Sequence, residues 1–134
     1  MLRGLQPVLD PETYVFVTLP PGQTVPADAR PLGRFTEAEG ETLILEHEAA
    51  QRLGLSAAFP CRRITLGVHS ALEAVGLFAA VAQCLTAAGI PANAVSGYYH
   101  DHLFVPVEQA NAALATLADL ATTADQDIAP SSAR

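Results

Sequence analysis

The chain has 134 residues, of which 50% are hydrophobic and 16% are charged, and its mean hydropathy is +0.26. This length fits one compact domain or two very small ones, and the low charged fraction excludes a mainly disordered chain. Lys and Arg number 7 against 14 Asp and Glu, so the formal net charge is −7, and the scattered basic residues exclude the basic footprint that a nucleic-acid partner requires.

The first half of the chain predicts a strand, a hairpin and a short helix. Residues 14–19 form the strand, and residues 34–36 and 42–46 form the hairpin around a short polar turn. The helix covers residues 47–53. Residues 20–26 contain three prolines, so no helix is expected between the first strand and the hairpin.

The clearest element of the second half is a helix over residues 70–89 that follows a strand over residues 63–69. Ser70 is placed as the N-cap, Glu73 as the third residue of a capping box, and Gly89 as the residue just after the last turn. Its apolar residues occupy two opposite faces. We therefore expect the helix to be covered on two sides, by its own sheet and by another element or subunit.

A second hairpin and a second helix complete this half. Residues 92–99 and 103–105 are its strands, with a polar turn at His100 and Asp101. The adjacent Tyr98 and Tyr99 then fall on opposite faces of the first strand, so one is expected in the core. Residues 107–121 show the spacing of an amphipathic helix with one buried face, and the small polar residues after it predict a frayed tail.

Both halves carry strands and helices in a similar order, although the first has no counterpart of the long helix. This order predicts an α+β protein of two fused ferredoxin-like βαββαβ modules, the first of them degenerate, that share strands. The predicted boundaries are residues 1–61 for the first module and 62–122 for the second. Residues 123–134 are expected to form a disordered tail.

Three separated motifs resemble a bacterial family of stand-alone proteins with tandem ACT domains. They are the segments HSALEAVGL at 69–77, AGIP at 88–91 and YYHDHLFV at 98–105. The resemblance implies two ACT modules, similar to those of aspartate kinases and of arginine sensors. It also implies a regulatory protein without a catalytic domain, which binds an amino acid at an interface between paired modules.

In related ACT modules the ligand contacts the loop from the first strand to the helix, the first helical turns and the facing second strand. The resemblance therefore implies a ligand site made of Ser70, Ala74, Val75, Gly76 and Leu77 from the loop and helix, and Ala94, Val95, Ser96 and Gly97 from the strand.

Physical chemistry supports this location. The N–H groups and partial positive charge of a helix N-terminus suit an α-carboxylate, and the carbonyl groups of an edge strand suit an ammonium group. Asp101 is then a candidate partner for a basic ligand side chain. Simpler interpretations stay open: Ser70 and Glu73 are a capping pair, Gly76 allows close packing of the helix, and Asp is favoured in turns for backbone reasons.

Other chemistries have weaker signals. His100 and His102, joined by His69 or Cys61, offer a conceivable metal site, but their spacing matches no metal motif. Cys61 stands next to Arg62 and Arg63, whose charge favours a reactive thiolate, whereas a partly buried inert thiol is the simpler interpretation. Nucleophile elbows and phosphate-binding loops are absent from the sequence. We therefore predict no metal, no cofactor and no catalysis.

The longest apolar stretch, residues 74–82, is too short to span a bilayer, and the first residues lack the layout of a signal peptide. We therefore expect a cytoplasmic protein with reduced thiols and no membrane partner. The favoured function is a non-catalytic sensor or regulatory module that binds a small molecule, expected to be an amino acid, as a homodimer. The alternative is a structural or oligomerisation module that has lost ligand binding.

Overall fold

A computed structural model describes residues 4–67 and 76–131 of the chain. The chain divides into two compact units. The first unit is Pro11–Cys61, and the second unit is Arg62–Arg134 together with Met1–Asp10. The elements in chain order are β1 (Pro7–Leu19), β2 (Gly33–Glu37), β3 (Gly40–Glu46), α1 (His47–Arg52), β4 (Ala58–Leu66), α2 (Leu77–Ala87), β5 (Asn93–Ser96), β6 (Asp101–Pro106) and α3 (Ala110–Ser131).

The first unit is built on antiparallel strands in the order β2-β3-β1. β3 is central, with Val17 opposite Leu43 on one side and Arg34 opposite Leu43 on the other. Because strand residues alternate between faces, the register places one apolar row on one face of this sheet. That row forms the core of the unit together with two alanines: Val15, Val17, Leu19, Leu43 and Leu45, with Ala29 and Ala50.

A proline-rich loop replaces a long helix in the first unit, as the sequence predicts. It contains one turn of 3₁₀ helix at Ala27–Ala29, in which Ala29 N–H donates to Pro26 O at 3.0 Å. Val25 packs against the core from this loop. The short helix α1 follows β3 directly and ends at Arg52.

The second unit carries strands in the order β4-β6-β5. The β5–β6 pair is antiparallel, with Val95 opposite His102 and Ser96 opposite Asp101. The first residues of the chain belong here, because Leu5 is fully buried in this core and Gly67 N–H donates to its carbonyl at 2.9 Å. The sequence assigns residues 1–10 to the first module, and that boundary stays a prediction.

β1 and β4 each contribute residues to both units, since the unit boundaries fall inside these two strands. In the first unit the start of β4 contacts β1 where the Phe59 and Phe16 rings meet edge to face at 6.0 Å. In the second unit the end of β4 contacts the start of β1, where Arg63 binds Asp10 at 2.9 Å. The predicted sharing of strands is confirmed.

The C-terminal end of α2 is the one predicted from Gly89. Gly89 N–H donates to Thr86 O and Ile90 N–H donates to Leu85 O, both at 3.0 Å, while Gly89 takes a left-handed φ of 74°. This pattern is a Schellman motif, and the accompanying contact between Ile90 and Leu85 lies in the core.

The N-terminal end of α2 differs from the prediction, because the helix begins at Leu77 and not at Ser70. Gly76 has a φ of 100°, which a right-handed helix excludes, so no continuous helix runs from residue 70 to residue 89. Ser70 and Glu73 lie outside the described residues. One stripe of the helix is buried, comprising Leu77, Val81 and Leu85.

α3 buries the single apolar face that its spacing predicts, and Ala110, Ala113 and Leu117 on that face are fully buried. They join Ile64, Leu66, Leu103 and Val105 of the strands and the buried stripe of α2 in one core. α3 continues to Ser131, through the segment for which the sequence predicts a disordered tail.

The turn of the second hairpin comes earlier than predicted. β5 ends at Ser96, and Gly97 N–H donates to His100 O at 2.9 Å, so residues 97–100 form the turn. Asp101 is the first residue of β6 and not a turn residue. Tyr98 and Tyr99 are therefore outside the strand, and both are exposed, at 74% and 63%. The expectation that one of them is in the core is wrong.

Candidate functional site

The predicted ligand site begins at the N-terminus of α2. The first helical hydrogen bond runs from Ala80 N–H to Gly76 O at 3.0 Å. The amides of the first turn come before this bond and therefore have no acceptor within the helix. Gly76 is exposed, and a Cβ built on it would meet nothing within 4 Å. Close packing of the helix therefore does not explain the glycine. Ser70, Ala74 and Val75 lie outside the described residues.

Leu77 differs from Gly76, the other described site residue at this end of the helix, because its side chain is buried. Its side chain is 2% exposed and belongs to the core of the second unit. The leucine therefore contributes its backbone amide at the helix start, while its side chain anchors the helix.

β5 supplies the strand part of the predicted site. It is the last strand of the order in this unit, and Ala94, Val95 and Ser96 are exposed. An edge strand carries backbone N–H and C=O groups on its outer side that no neighbouring strand of the sheet pairs. Gly97 adjoins this edge, and a Cβ there would lie 3.1 Å from His100 O, because the turn closes tightly.

Asp101 stands opposite Ser96 across the hairpin and is 8% exposed. Burial of a carboxylate requires polar partners or a nearby cation. Burial lowers the pKa of the neighbouring His102, and the negative charge of Asp101 only partly opposes that lowering. Sequence reasoning placed this side chain in an exposed turn, and the structure moves it to the start of a strand.

A polar network lies on β4 and β6 of the second unit. Thr65 Oγ1 and His102 Nδ1 are 2.9 Å apart, and Arg63 binds Asp10. Burial lowers the pKa of His102, and the charges of Arg63 and His100 lower it further. The neutral imidazole is therefore favoured in the fold. Within residues 4–67 and 76–131, no group of three or more His, Cys, Asp or Glu side chains is arranged to hold a metal ion.

Cys61 is fully buried, and its thiol lies 3.4 Å from Tyr14 O. Burial raises the pKa of this thiol to about 12, which overrides any effect of the neighbouring arginines. Burial and the raised pKa therefore favour an unreactive thiol over a reactive thiolate, and Cys61 is more deeply buried than the sequence predicts.

The second unit also has a shallow cavity of about 320 Å³ beside the C-terminal half of α2. Its walls are mostly apolar and include Phe78, Ala82, Leu85, Ile90, Pro91 and Asn93. Phe78 is exposed there. None of the described residues of the predicted ligand site is among its lining residues.

The first unit has a cavity of about 200 Å³ that sequence reasoning missed. It lies between the proline-rich loop, represented by Val25 and Pro26, and the sheet residues Leu19, Leu43 and Arg34. Two features of the sequence lie at this cavity, although neither predicts it alone: a proline-rich segment in the position that a long helix takes in the second half, and opposite charges at Arg34 and Glu41 in paired strands.

Glu41 and Arg34 form an ion pair of 3.1 Å at the polar end of this cavity. Arg34 Nε and Nη2 both donate to Glu41 Oε1, and Thr36 Oγ1 donates to the same carboxylate at 2.8 Å. The Thr36 hydrogen bond lowers the pKa of Glu41 against the opposing effect of burial, and Arg34 lowers it further. Glu41 therefore stays ionised at neutral pH.

Comparison with known proteins places both units in one family. Residues 1–62 match one ACT-domain description and residues 58–119 match another. A protein of unknown function from Vibrio cholerae, described as a possible transport protein, is 45% identical over 90% of this chain and 93% of its own, with a TM-score of 0.82. The chain belongs to the ACT-domain family.

Two further structures share the fold of this tandem ACT protein. A protein from Agrobacterium tumefaciens is 18% identical, covers 82% of this chain and 84% of its own, and has a TM-score of 0.68. The regulatory subunit of aspartate kinase from Thermus flavus is 14% identical, covers 85% of this chain and 95% of its own, and has a TM-score of 0.59. Among proteins of curated function, no match is found.

These findings confirm the predicted fold class of two ferredoxin-like ACT modules. ACT domains are typically regulatory, ligand-binding modules, and no catalytic family matches the chain. Within the described residues, no helix is both long enough and apolar enough to cross a bilayer.

Proposed function

We propose that the protein is a non-catalytic, cytoplasmic regulatory module that binds an amino acid in its second unit. The observation that carries this proposal is the start of α2 at a glycine without a side-chain cap. Gly76 leaves the first-turn amides without the oxygen that Ser, Thr, Asp or Asn supplies at this position. An α-carboxylate satisfies such amides and is favoured by the positive end of the helix dipole.

The edge of β5 supports the same proposal, since exposed backbone carbonyls suit an ammonium group. Asp101 is the carboxylate nearest this strand in the hairpin register, opposite Ser96. We propose that the ligand-contacting set is the one implied by the family resemblance: Ser70, Ala74, Val75, Gly76, Leu77, Ala94, Val95, Ser96, Gly97 and Asp101.

A thermal-shift screen of the full chain against the twenty amino acids tests the proposal. A ligand present at about 100 times its dissociation constant stabilises the folded state by about 2.7 kcal/mol, so a binder is readily detected. A shift with one or two amino acids supports a sensor. An unchanged melting temperature with all twenty contradicts it.

Gly76→Ala and Gly89→Ala form a matched pair that locates the site. Both glycines flank α2, both have a left-handed φ, and a Cβ at either meets nothing within 4 Å. Each alanine is therefore expected to cost about 1–2 kcal/mol of backbone strain. Only Gly76→Ala is expected to reduce the stabilisation by the amino acid. An equal loss in Gly89→Ala would contradict the site at the start of α2.

A second function, oligomerisation without a ligand, is favoured by the exposed apolar side chains of the second unit. Tyr98 and Tyr99 contact each other at a ring distance of 4.9 Å, and Phe78 and Val95 are also exposed. Such groups suit an interface between two copies of the chain. Analytical ultracentrifugation of the wild type and of Tyr98→Ser decides whether a homodimer forms and whether it needs these side chains.

A further inference from the structure

The cavity of the first unit lies on a sheet face that changes from apolar to charged. In the register of β1, β3 and β2, Val17 is opposite Leu43, and Leu19 is opposite Glu41. Thr36 is opposite Glu41 on the other side. Because opposed residues share a face, the apolar row ends in a polar corner at the β2–β3 hairpin. The cavity touches both parts of this face.

The loop over this face is held by its own backbone. Gln23 N–H donates to Pro20 O at 3.1 Å, and Arg30 N–H donates to Ala27 O at 3.3 Å. Prolines at 20, 21, 26 and 31 restrict the loop further, because each fixes its own φ. A loop restricted in this way loses little conformational entropy when a ligand binds, so the cavity is preorganised.

The polar corner keeps hydrogen-bond donors on Arg34 beside the Glu41 carboxylate. Glu41 Oε1 already accepts from Nε and Nη2 of Arg34 and from Thr36. In the described residues, no hydrogen bond or ion pair engages Nη1 of Arg34. The Arg34 side chain is 60% exposed, whereas that of Glu41 is 14% exposed. The carboxylate thus holds the guanidinium in place, and the remaining N–H groups suit an anion.

We propose that this cavity binds a small carboxylate with a compact apolar body. The carboxylate pairs with the remaining donors of Arg34, and the apolar body lies against Leu19, Leu43 and Val25. The volume of about 200 Å³ is below the roughly 300–1,000 Å³ of sites for drug-sized ligands, so the ligand is a small one. This site lies in the first unit and does not rest on the amino-acid site proposed for the second.

The test is a titration of the ¹⁵N-labelled full chain with 4-methylpentanoate, followed through its backbone amide signals. The expected result is saturable shifts of the amides of Gln23, Thr24, Val25, Ala27 and Arg34, with a dissociation constant in the millimolar range. The neutral isostere 4-methylpentanamide is expected to bind about tenfold more weakly, since it lacks the charge that a guanidinium prefers. Equal affinity of the acid and the amide would overturn the anion recognition.

Matched variants assign the affinity to the cavity. Arg34→Gln is expected to weaken 4-methylpentanoate about tenfold, whereas Arg30→Gln removes the same charge at an arginine that does not line the cavity and is expected to have no effect. Equal losses of affinity in both variants would mean that the net charge of the protein, and not a contact in the cavity, determines binding. Ala27→Phe fills the cavity from an exposed loop position and is expected to abolish the shifts. Unchanged affinity in this variant, or no saturable shift in the wild type, would overturn the proposal.

Discussion

The two units solve the same packing problem with different elements. In the second unit α2 and α3 cover the sheet and leave Leu5, Leu85 and Leu117 fully or almost fully buried. In the first unit a proline-rich loop and the short α1 cover the sheet, and the core that they bury is smaller. A helix packs a continuous apolar stripe against a sheet, whereas a loop has no such stripe and leaves space. The loop unit therefore has a preorganised cavity, and α2 of the helix unit starts at Gly76 with no side-chain cap among the described residues.

The largest effects are expected from breaking each core separately. Leu85→Ala in the second unit and Leu45→Ala in the first each remove a buried side chain, so each is expected to cost about 2–5 kcal/mol. The two cores share no residue among those described. Hydrogen exchange is therefore expected to show the larger loss of protection in the unit that carries the substitution.

Leu32→Ala is the control for these variants, because Leu32 is exposed in the first unit. It is expected to change the free energy of unfolding by at most about 0.5 kcal/mol. Equal loss of protection across both units in Leu85→Ala would mean that the chain opens as one cooperative body. The claim that the two cores unfold independently would then be wrong.

A smaller effect is expected from pH through His102 of the second unit. Burial, with the charges of Arg63 and His100, lowers the pKa of His102 below its ordinary value of 6.5. The unfolded chain therefore binds a proton that the folded chain resists, so stability is lost as the pH falls from 6.5 through the folded pKa. An NMR titration of the imidazole is expected to give a midpoint below 6.5, and a midpoint at or above 6.5 contradicts the packing of His102 against Thr65.

The smallest effect is expected from Glu41 of the first unit. Its pKa is lowered by Thr36 and Arg34, so the unfolded chain takes up the proton first on acidification. The stability that this carboxylate contributes is present above its ordinary pKa of 4.5 and is lost as the pH falls through the folded value. Glu41→Gln is expected to flatten the acid limb of a denaturation profile slightly. A steeper limb would contradict the ion pair.

The fold was largely predictable because its signals are local. Gly89 marked the end of α2 through the Schellman motif, and the spacing of Ala110, Ala113 and Leu117 marked the buried face of α3. The start of α2 was misplaced because Ser70 and Glu73 form a plausible capping box, whereas the conformation of Gly76 leaves no mark in the sequence. Propensity alone does not distinguish a helical glycine from a left-handed one.

The candidate sites were less predictable because they depend on long-range packing. Residues Gly76 and Ala94 to Gly97 follow from family resemblance, while Asp101 was assigned to a turn and lies in β6. The cavity of the first unit requires the register of three strands and the path of a loop over them. No local pattern places Leu19 and Arg34 around one space.

The most direct test of the account is an amide chemical-shift map of the full ¹⁵N-labelled chain titrated with each of the twenty amino acids. The account predicts that at least one amino acid shifts the amides of Gly76 and Leu77 together with those of Asn93–Gly97. Shifts confined to the amides of Gln23, Thr24, Val25, Ala27 and Arg34 in the first unit, or no shift with any amino acid, would contradict amino-acid binding at the start of α2.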